Sequence, residues 1–401
     1  MIRRDFPVKI HAGFNGRSAA VGAGVLALAM AGLTACGSDN NSSSSSGGSS
    51  STTSAAGGGS STSASGSSTG AAGGITCANG TLSGQGSTAQ NTAIVKFIKD
   101  FQTQCGNSTN INYNGTGSGP GVTAFIQKQA DWAGSDYALN STQQPQADAR
   151  CTGGKALSVG TIPGAIAVMY NVPGVSKLNL SASNLGKIFN GKITKWNDPA
   201  IVADNAGVTL PDLAIQTFHR SDASGTSYNF SNYLNKTAAT DFPAAANKQW
   251  PGTGGQSAQG SKGVAQAVKT TSGAIGYAEV SYATSNSLNT ASVGNAAGKF
   301  VPLTVANAGN FIAKAKVDTT GGNYLFNFDY TYSADDAYPA VLVTYEIVCS
   351  SGNDSAKLPL LKNFLSYTAS SAAQGQLEGM GYVPLTSDQQ AKVQAIYAGL
   401  S

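Results

Sequence analysis

IPGAIAVMYNV, residues 162–172, carries no charged side chain, and PAVLVTYEIV, residues 339–348, carries one. Continuous apolar runs of this length are expected of strands buried on both faces. The two runs bracket a segment of domain size. They read either as two core strands of one sheet or as a pair of crossover strands joining two lobes. In the second case the first lobe is built from both ends of the chain.

Outward from these runs, short strand-like stretches alternate with amphipathic helices. A helix over about 89–103 places Ile94, Phe97, Ile98 and Phe101 at helical spacing, and another starting near Pro120 places Val122, Phe125 and Ile126 likewise. KIFNGKITKWNDPAI (187–201) reads as helix, turn and extended piece, and GAIGYAEVSYA (273–283) as a strand opened by glycine. Strand followed by helix, repeated, predicts a parallel or mixed α/β sheet. No internal repeat is visible.

The N-terminal part reads differently. Arg3, Arg4, Lys9 and Arg17 precede the apolar run AAVGAGVLALAMAGLTA (19–35), short for a membrane span and suited to a secretory signal. The run ends in Leu33-Thr34-Ala35-Cys36, which resembles a bacterial lipobox with Cys36 as the lipidated residue. Sec and twin-arginine export both stay open. Residues 38–74, almost entirely Ser, Gly, Thr and Ala, cannot bury a core. That composition predicts a flexible tether spanning about 30–35 Å.

The formal charge of the whole chain is +4; without the leader's four cations and Asp5 it falls to +1. No basic footprint for nucleic acid remains. Past Cys36 the cysteines are Cys77, Cys105, Cys151 and Cys349, an even number that predicts two disulfides in an exported domain. Cys77 and Cys105 each precede a predicted strand, LSGQGS and NINYNG. If those strands are parallel neighbours their starts lie at one end of the sheet, which favours Cys77 with Cys105 and leaves Cys151 with Cys349. No CxxC pair occurs and His219 is the one histidine beyond the leader, so no metal site is expected.

Three strand-to-helix turns share one chemistry: GQGST (84–88), GTGSGPG (115–121) and SDASGT (221–226). Each offers glycines that let a ligand approach the backbone, hydroxyl donors, and a helix start whose free N–H groups favour an anion. Arg220 adds one full charge, and Asp222 is placed to hold its guanidinium. Asp136, in DWAGSDYAL, repels a fully ionised anion but accepts a hydrogen bond from one that still carries a proton. That combination selects hydrogen phosphate over sulfate by about 1.5–3 kcal/mol, the worth of a charge-assisted bond. A hydrolytic triad would need His219, which in a strand points away from Arg220, and no GxxxxGK[ST] is present.

LSGQGSTAQ, NYNGTGSGPGVTAF, DWAGSDYAL, KIFNGKITKWNDPAI, HRSDASGTSYNFSNYL, GAIGYAE and YPAVLVTYEIVC occur in that order from about Leu82 to Pro384. The set resembles the phosphate-binding proteins of ABC-type phosphate importers, the PstS family. The resemblance implies a type II periplasmic-binding-protein fold: two α/β lobes joined by two hinge strands and closing over one phosphate. It divides the chain into a signal peptide (1–35), lipidated Cys36 with its linker (36–76), lobe I (77–160 and 346–401) and lobe II (161–345).

Carried over by motif, the phosphate ligands are Thr88, the backbone N–H of Ala89, Ser118, Asp136, Arg220, Ser224, Gly225 and Thr226, with Asp222 steadying the arginine. Ala89 departs from members with a larger apolar residue there, and the four cysteines resemble the actinobacterial branch. The implied partners are inorganic phosphate, the permease subunits of the importer and the outer face of the cell membrane, with no cofactor. A secreted phosphatase, or a binder of a related oxyanion, is the alternative.

Overall fold

The computed structural model describes residues 75–401. The signal peptide, Cys36 and the linker to residue 74 lie outside the described residues. The main sheet is built from β1 (Gly80–Gly86), β2 (Thr109–Asn114), β3 (Trp132–Ser135), β4 (Ala156–Asn171), β5 (Gln216–Arg220), β6 (Gln256–Ala258), β7 (Ala274–Glu279), β8 (Asn289–Thr290) and β9 (Val341–Cys349). Its order is β2-β1-β3-β9-β4-β7-β5-β6, with β8 also paired to β4. Strands β1, β2 and β3 run parallel to one another, as do β5, β6 and β7. Between these two half-sheets lie only β4 and β9, antiparallel to each other and to the strands beside them.

The two apolar runs thus satisfy both readings at once. They are adjacent core strands of one sheet, and among the described residues they are the only strands lying between its halves. Ala156–Ala165 of β4 pairs with β9, and Ile166–Asn171 pairs with β7, so one continuous strand serves both half-sheets. Burial along all of β9 and all but the last residue of β4 explains why neither run alternates. A register shift between Thr344 and Tyr345 leaves Thr161 as an extra residue opposite them. The mixed α/β architecture matches the expected class.

The helices that matter here are α1 (Asn91–Cys105), α2 (Ser118–Ile126), α3 (Gly225–Thr237), α4 (Gly260–Thr270), α5 (Val280–Ser285) and α6 (Leu358–Thr368). Helix α1 buries Ile94, Phe97, Ile98 and Phe101, the predicted stripe. Phe101 meets Phe364 of α6 edge-on at 5.6 Å, and Phe364 packs on Trp132 of β3 at 5.6 Å. The C-terminal part of the chain therefore returns to the half-sheet that the N-terminal part begins. Around the other half-sheet, Phe230 of α3 stacks on Tyr277 of β7 at 4.5 Å. Both expected disulfides form, Cys77–Cys105 and Cys151–Cys349.

Two sequence expectations need correction. Helix α2 begins at Ser118, two residues ahead of Pro120, with Gly117 as its N-cap at φ 104°, a backbone angle that favours glycine. The end of 187–201 is a short helix, Pro199–Asp204, capped by the Asp198 side chain on the N–H of Ala200, rather than an extended piece.

Strand β9 also carries Glu346, fully buried, with neither carboxyl oxygen hydrogen-bonded among the described residues. The Oε1 of Gln90 and the Nε1 of Trp132 are likewise without partners. A protonated Glu346 matches this pair, since its O–H can donate to an amide oxygen and its carbonyl can accept from an indole. Burial pushes the Glu346 carboxyl from 4.5 up to about 8. A carboxyl raised on folding binds its proton in the folded state at pH values where the unfolded chain has lost it. Its contribution to stability is complete below about pH 4.5 and is lost as pH rises towards 8. Thermal unfolding followed from about pH 5 to pH 9 should show a falling midpoint in the wild type and a flatter profile in Glu346→Gln. Equal slopes in both would mean that the proton on Glu346 is not linked to folding.

Candidate anion-binding site

Where the two half-sheets face each other, four helices begin close together, and the polar groups of their first turns meet around Asp136. Asp136 follows β3, and only 2% of it is exposed. Its Oδ1 accepts from the Ser87 and Thr344 hydroxyls, the second at 2.8 Å. Its Oδ2 accepts two longer bonds, from Ser118 at 3.3 Å and from Thr226 at 3.4 Å. These four donors come from the β1–α1 turn, the α2 start, the α3 start and β9. Burial raises the Asp136 carboxyl above its ordinary value, while these hydroxyls and the charge of Arg220 act the other way.

Ser118 and Gly225 are among the groups that bring the halves together. The Ser118 Oγ accepts from the N–H of Asp136 and of Gly225, both at 3.1 Å, and the Gly119 N–H donates to the Ala223 carbonyl at 2.8 Å. A Cβ added at Gly225 would lie 2.5 Å from both the Asp136 Cβ and the Ser118 Oγ. Only a residue without a side chain fits there.

Arg220 ends β5 and is buried with Asp222. Its Nε donates to Asp222 Oδ1 at 2.7 Å, its Nη2 to Oδ2, and its Nη1 to the Ser261 hydroxyl at 3.1 Å. Burial alone would raise Asp222, but the hydrogen bonds and charge of Arg220, with the Gly260 N–H, hold it below the ordinary value. This fork-to-fork pair leaves the guanidinium fixed and neutralised, so the site as a whole is not strongly cationic. Ser261, at the start of α4, also exchanges a hydrogen bond with Thr88 Oγ1 at 2.8 Å, which links β1–α1 to β6–α4.

Of the residues singled out in the sequence, Thr88, Ala89, Ser118, Asp136, Arg220, Asp222, Gly225 and Thr226 are brought together. The Ala89 N–H lies 3.0 Å from the Ser87 hydroxyl. Ser224 is adjacent, but its hydroxyl caps α3 by accepting from the Ser227 N–H at 3.2 Å. His219 stands apart, its ring stacked on Trp250 at 5.6 Å. No cluster of three or more His, Cys, Asp or Glu that could hold a metal occurs among the described residues.

The sequence reading missed Ser87, Ser261, Thr344 and Asn229. Ser261 had a signal, because QSAQGSKG repeats the strand, glycine, hydroxyl, helix pattern of the other three turns. Thr344 had only a faint one, a hydroxyl inside an apolar run. Asn229 lies one turn into α3, where its Nδ2 donates to the Asp136 carbonyl at 2.5 Å and the Gly225 carbonyl at 3.0 Å.

The PBP superfamily domain matches residues 48–372. Phosphate-binding protein PstS 2 of Mycobacterium tuberculosis is 39% identical over 324 residues, 80% of this chain and 87% of that one. The chain belongs to the PstS family. A more distant member, phosphate-binding protein PstS of Xylella fastidiosa, is 32% identical over 79% of this chain and 85% of its own. A high affinity periplasmic phosphate-binding protein solved with bound phosphate shares the fold, with a TM-score of 0.64 at 22% identity over 78% of this chain and 93% of that one.

A second layer of contacts in this PstS-type structure surrounds the first turns. The Tyr282 hydroxyl, on α5, donates to the Thr88 carbonyl at 2.8 Å, and the Tyr382 hydroxyl to the Ala89 carbonyl at 2.7 Å. Ser281 meets Thr92 of α1 at 3.1 Å and bonds Glu279, whose Oε1 has no partner among the described residues. Burial pushes Glu279 up to about 8 as well. Because a Cβ at Gly225 has no room beside Asp136 and Ser118, Gly225→Ala should hold the halves apart. Small-angle X-ray scattering should give a larger radius of gyration than the wild type, and an unchanged one would show that Asp136 and Ser118 yield instead.

Proposed function

We propose that this chain binds inorganic phosphate at the Asp136 cage, outside the cytoplasm, and hands it to the permease of an ABC-type importer. The observation that carries the reading is the buried carboxylate of Asp136 among neutral donors, with a single arginine already paired to Asp222. A site of this kind holds an oxyanion through many short dipoles rather than excess positive charge. It favours an anion that has a proton to give. Oδ2, held by two long bonds, is the atom that accepts the hydrogen bond from the P–OH of hydrogen phosphate. The hydroxyls of Ser118 and Thr226 then turn to the phosphate oxygens, joined by Thr88, Ser261, Arg220 and the N–H groups of Ala89 and Gly225.

Ser224 supports the site by capping α3. The lobes are 77–160 with 346–401, and 161–345, and they close about the β4–β9 pair, excluding water from the ligand. The relatives are named for binding, and this reading assigns binding, not hydrolysis. No helix among the described residues is long and apolar enough to cross a membrane. Attachment to the membrane rests on a lipid at Cys36, with the Ser/Gly-rich segment as its tether.

Calorimetric titration should give one phosphate per chain, with sulfate failing to compete. Asp136→Asn should weaken phosphate by about tenfold to a hundredfold, the equivalent of about 1.5–3 kcal/mol, and admit sulfate as a competitor. Ser261→Ala should weaken phosphate by roughly fivefold to tenfold. If Asp136→Asn leaves both titrations unchanged, the selection rests elsewhere. For the anchor, Cys36→Ala should abolish incorporation of labelled palmitate and move the protein from the membrane fraction to the medium. Retention of either label or membrane association would exclude Cys36 as the lipidated residue.

A further inference from the structure

Beside the cage lies a cavity of about 560 Å³, with Asp136 and Asn229 in the wall between them. That is the size of a small-molecule pocket and far more than a phosphate ion fills. One side is aromatic. Tyr137 and Tyr228 pack with ring centroids 5.5 Å apart, and Phe326, Phe328 and Tyr345 continue the surface.

The rest is rich in carboxamides, from Asn140, Asn232, Asn247 and Asn327. Asn140 and Asn247 use their Oδ1 atoms to accept from backbone N–H groups, at Thr142 and Gln143 and at Gln249. Their Nδ2 groups, the Asn327 amide and the Tyr228 hydroxyl make no hydrogen bond to the described residues; Asn140, Asn247 and Asn327 stand exposed at the rim of the cavity they line.

Charge is scarce in this chamber. Besides Asp136 the only ionic lining residue is Lys248, whose Nζ sits 5.9 Å from the centre of the Tyr137 ring. An anionic ligand finds no guanidinium here, and a cationic one finds no carboxylate free of hydrogen bonds. A purely apolar ligand would strand the amides, since polar groups left unpaired on binding cost affinity.

A ring with one apolar face and hydroxyls at its edge satisfies both walls, stacking on the aromatics and bonding the amides. The chamber does not read as room for the tail of a phosphate ester. The wall toward the cage is Asp136, which accepts hydrogen bonds, and an ester oxygen pointing through it has none to donate.

We infer that the chamber lined by Tyr137, Tyr228, Phe326, Asn140, Asn247 and Asn327 is a second binding site, for a neutral saccharide ring. It goes beyond phosphate capture and does not require it. Helix α3 contributes to both places, with Thr226 in the cage and Tyr228 and Asn232 in the chamber, so both ligands can be held at once.

The test is saturation-transfer NMR and calorimetry on the full chain with D-glucose, D-mannose, trehalose, maltotriose and glucose 1-phosphate, each with and without saturating inorganic phosphate. At least one neutral saccharide is expected to bind with phosphate in place. Comparing glucose with maltotriose separates a free ring from the end of a chain. Asn327→Ala, at an exposed rim position outside the cage, should weaken the saccharide by about tenfold and leave the phosphate titration unchanged. The inference is overturned if no neutral saccharide gives a transfer signal, if those that bind are displaced by phosphate, or if glucose 1-phosphate alone binds. Phosphate titrated alone in the same samples keeps this outcome separate from that of the phosphate reading, because either ligand can fail while the other binds.

Discussion

A carboxylate removed from water must find its hydrogen bonds in the protein, and Asp136 finds them in hydroxyls from four chain segments. Ser87 follows the first strand, Ser118 and Thr226 open helices from opposite halves, and Thr344 comes from β9, one of the two strands lying between them. No single element could supply this set. Meeting the need of one buried charge therefore fixes the relative position of both half-sheets at the place where their helix N-termini converge. The same group that organises this part of the protein is the one to which the proposed function gives the choice between a protonated oxyanion and an unprotonated one.

The strands joining the halves face a related problem with a different solution. β4 and β9 are buried almost throughout, and Glu346 on β9 has no charged partner. Where Asp136 is surrounded by donors, Glu346 is neutralised by a proton that burial makes it keep. Glu279, at the end of β7, shares the raised value, yet caps α5 through Ser281 and so reaches Thr92 on the other half. Acidic side chains around the cleft thus differ in state according to the donors each can reach, and Asp222, locked to Arg220, is the one held below its ordinary value.

Much of this was legible in the residues. The absence of alternation in 162–172 and 339–348 announced strands with both faces covered, because a strand with one wet face needs polar residues at every second position. The glycine and hydroxyl turns announced helix starts open to an anion, and Arg220 with Asp222 announced a steadied guanidinium, since such pairings are local in the chain. Ser224 shows the limit of local reading: a serine at the start of a helix caps it as readily as it binds a ligand, and here the N–H of Ser227 takes its oxygen. Thr344 shows the other limit, since its value lies in a partner 208 residues away.

By itself, then, the sequence determined most of the elements, the class of the fold and the chemistry of its turns, which follow from short-range periodicity and composition, and it favoured a cysteine pairing that depended on two strands lying side by side. Only the tertiary structure decided which hydroxyls share Asp136, that Ser261 joins Thr88 to Arg220, that Gly225 has no room for a side chain, and that an aromatic and amide cavity adjoins the cage. The physical reason is that hydrogen bonds and close packing act over a few ångströms in space, and residues far apart in the chain come within that range only when β4 and β9 draw the two half-sheets together.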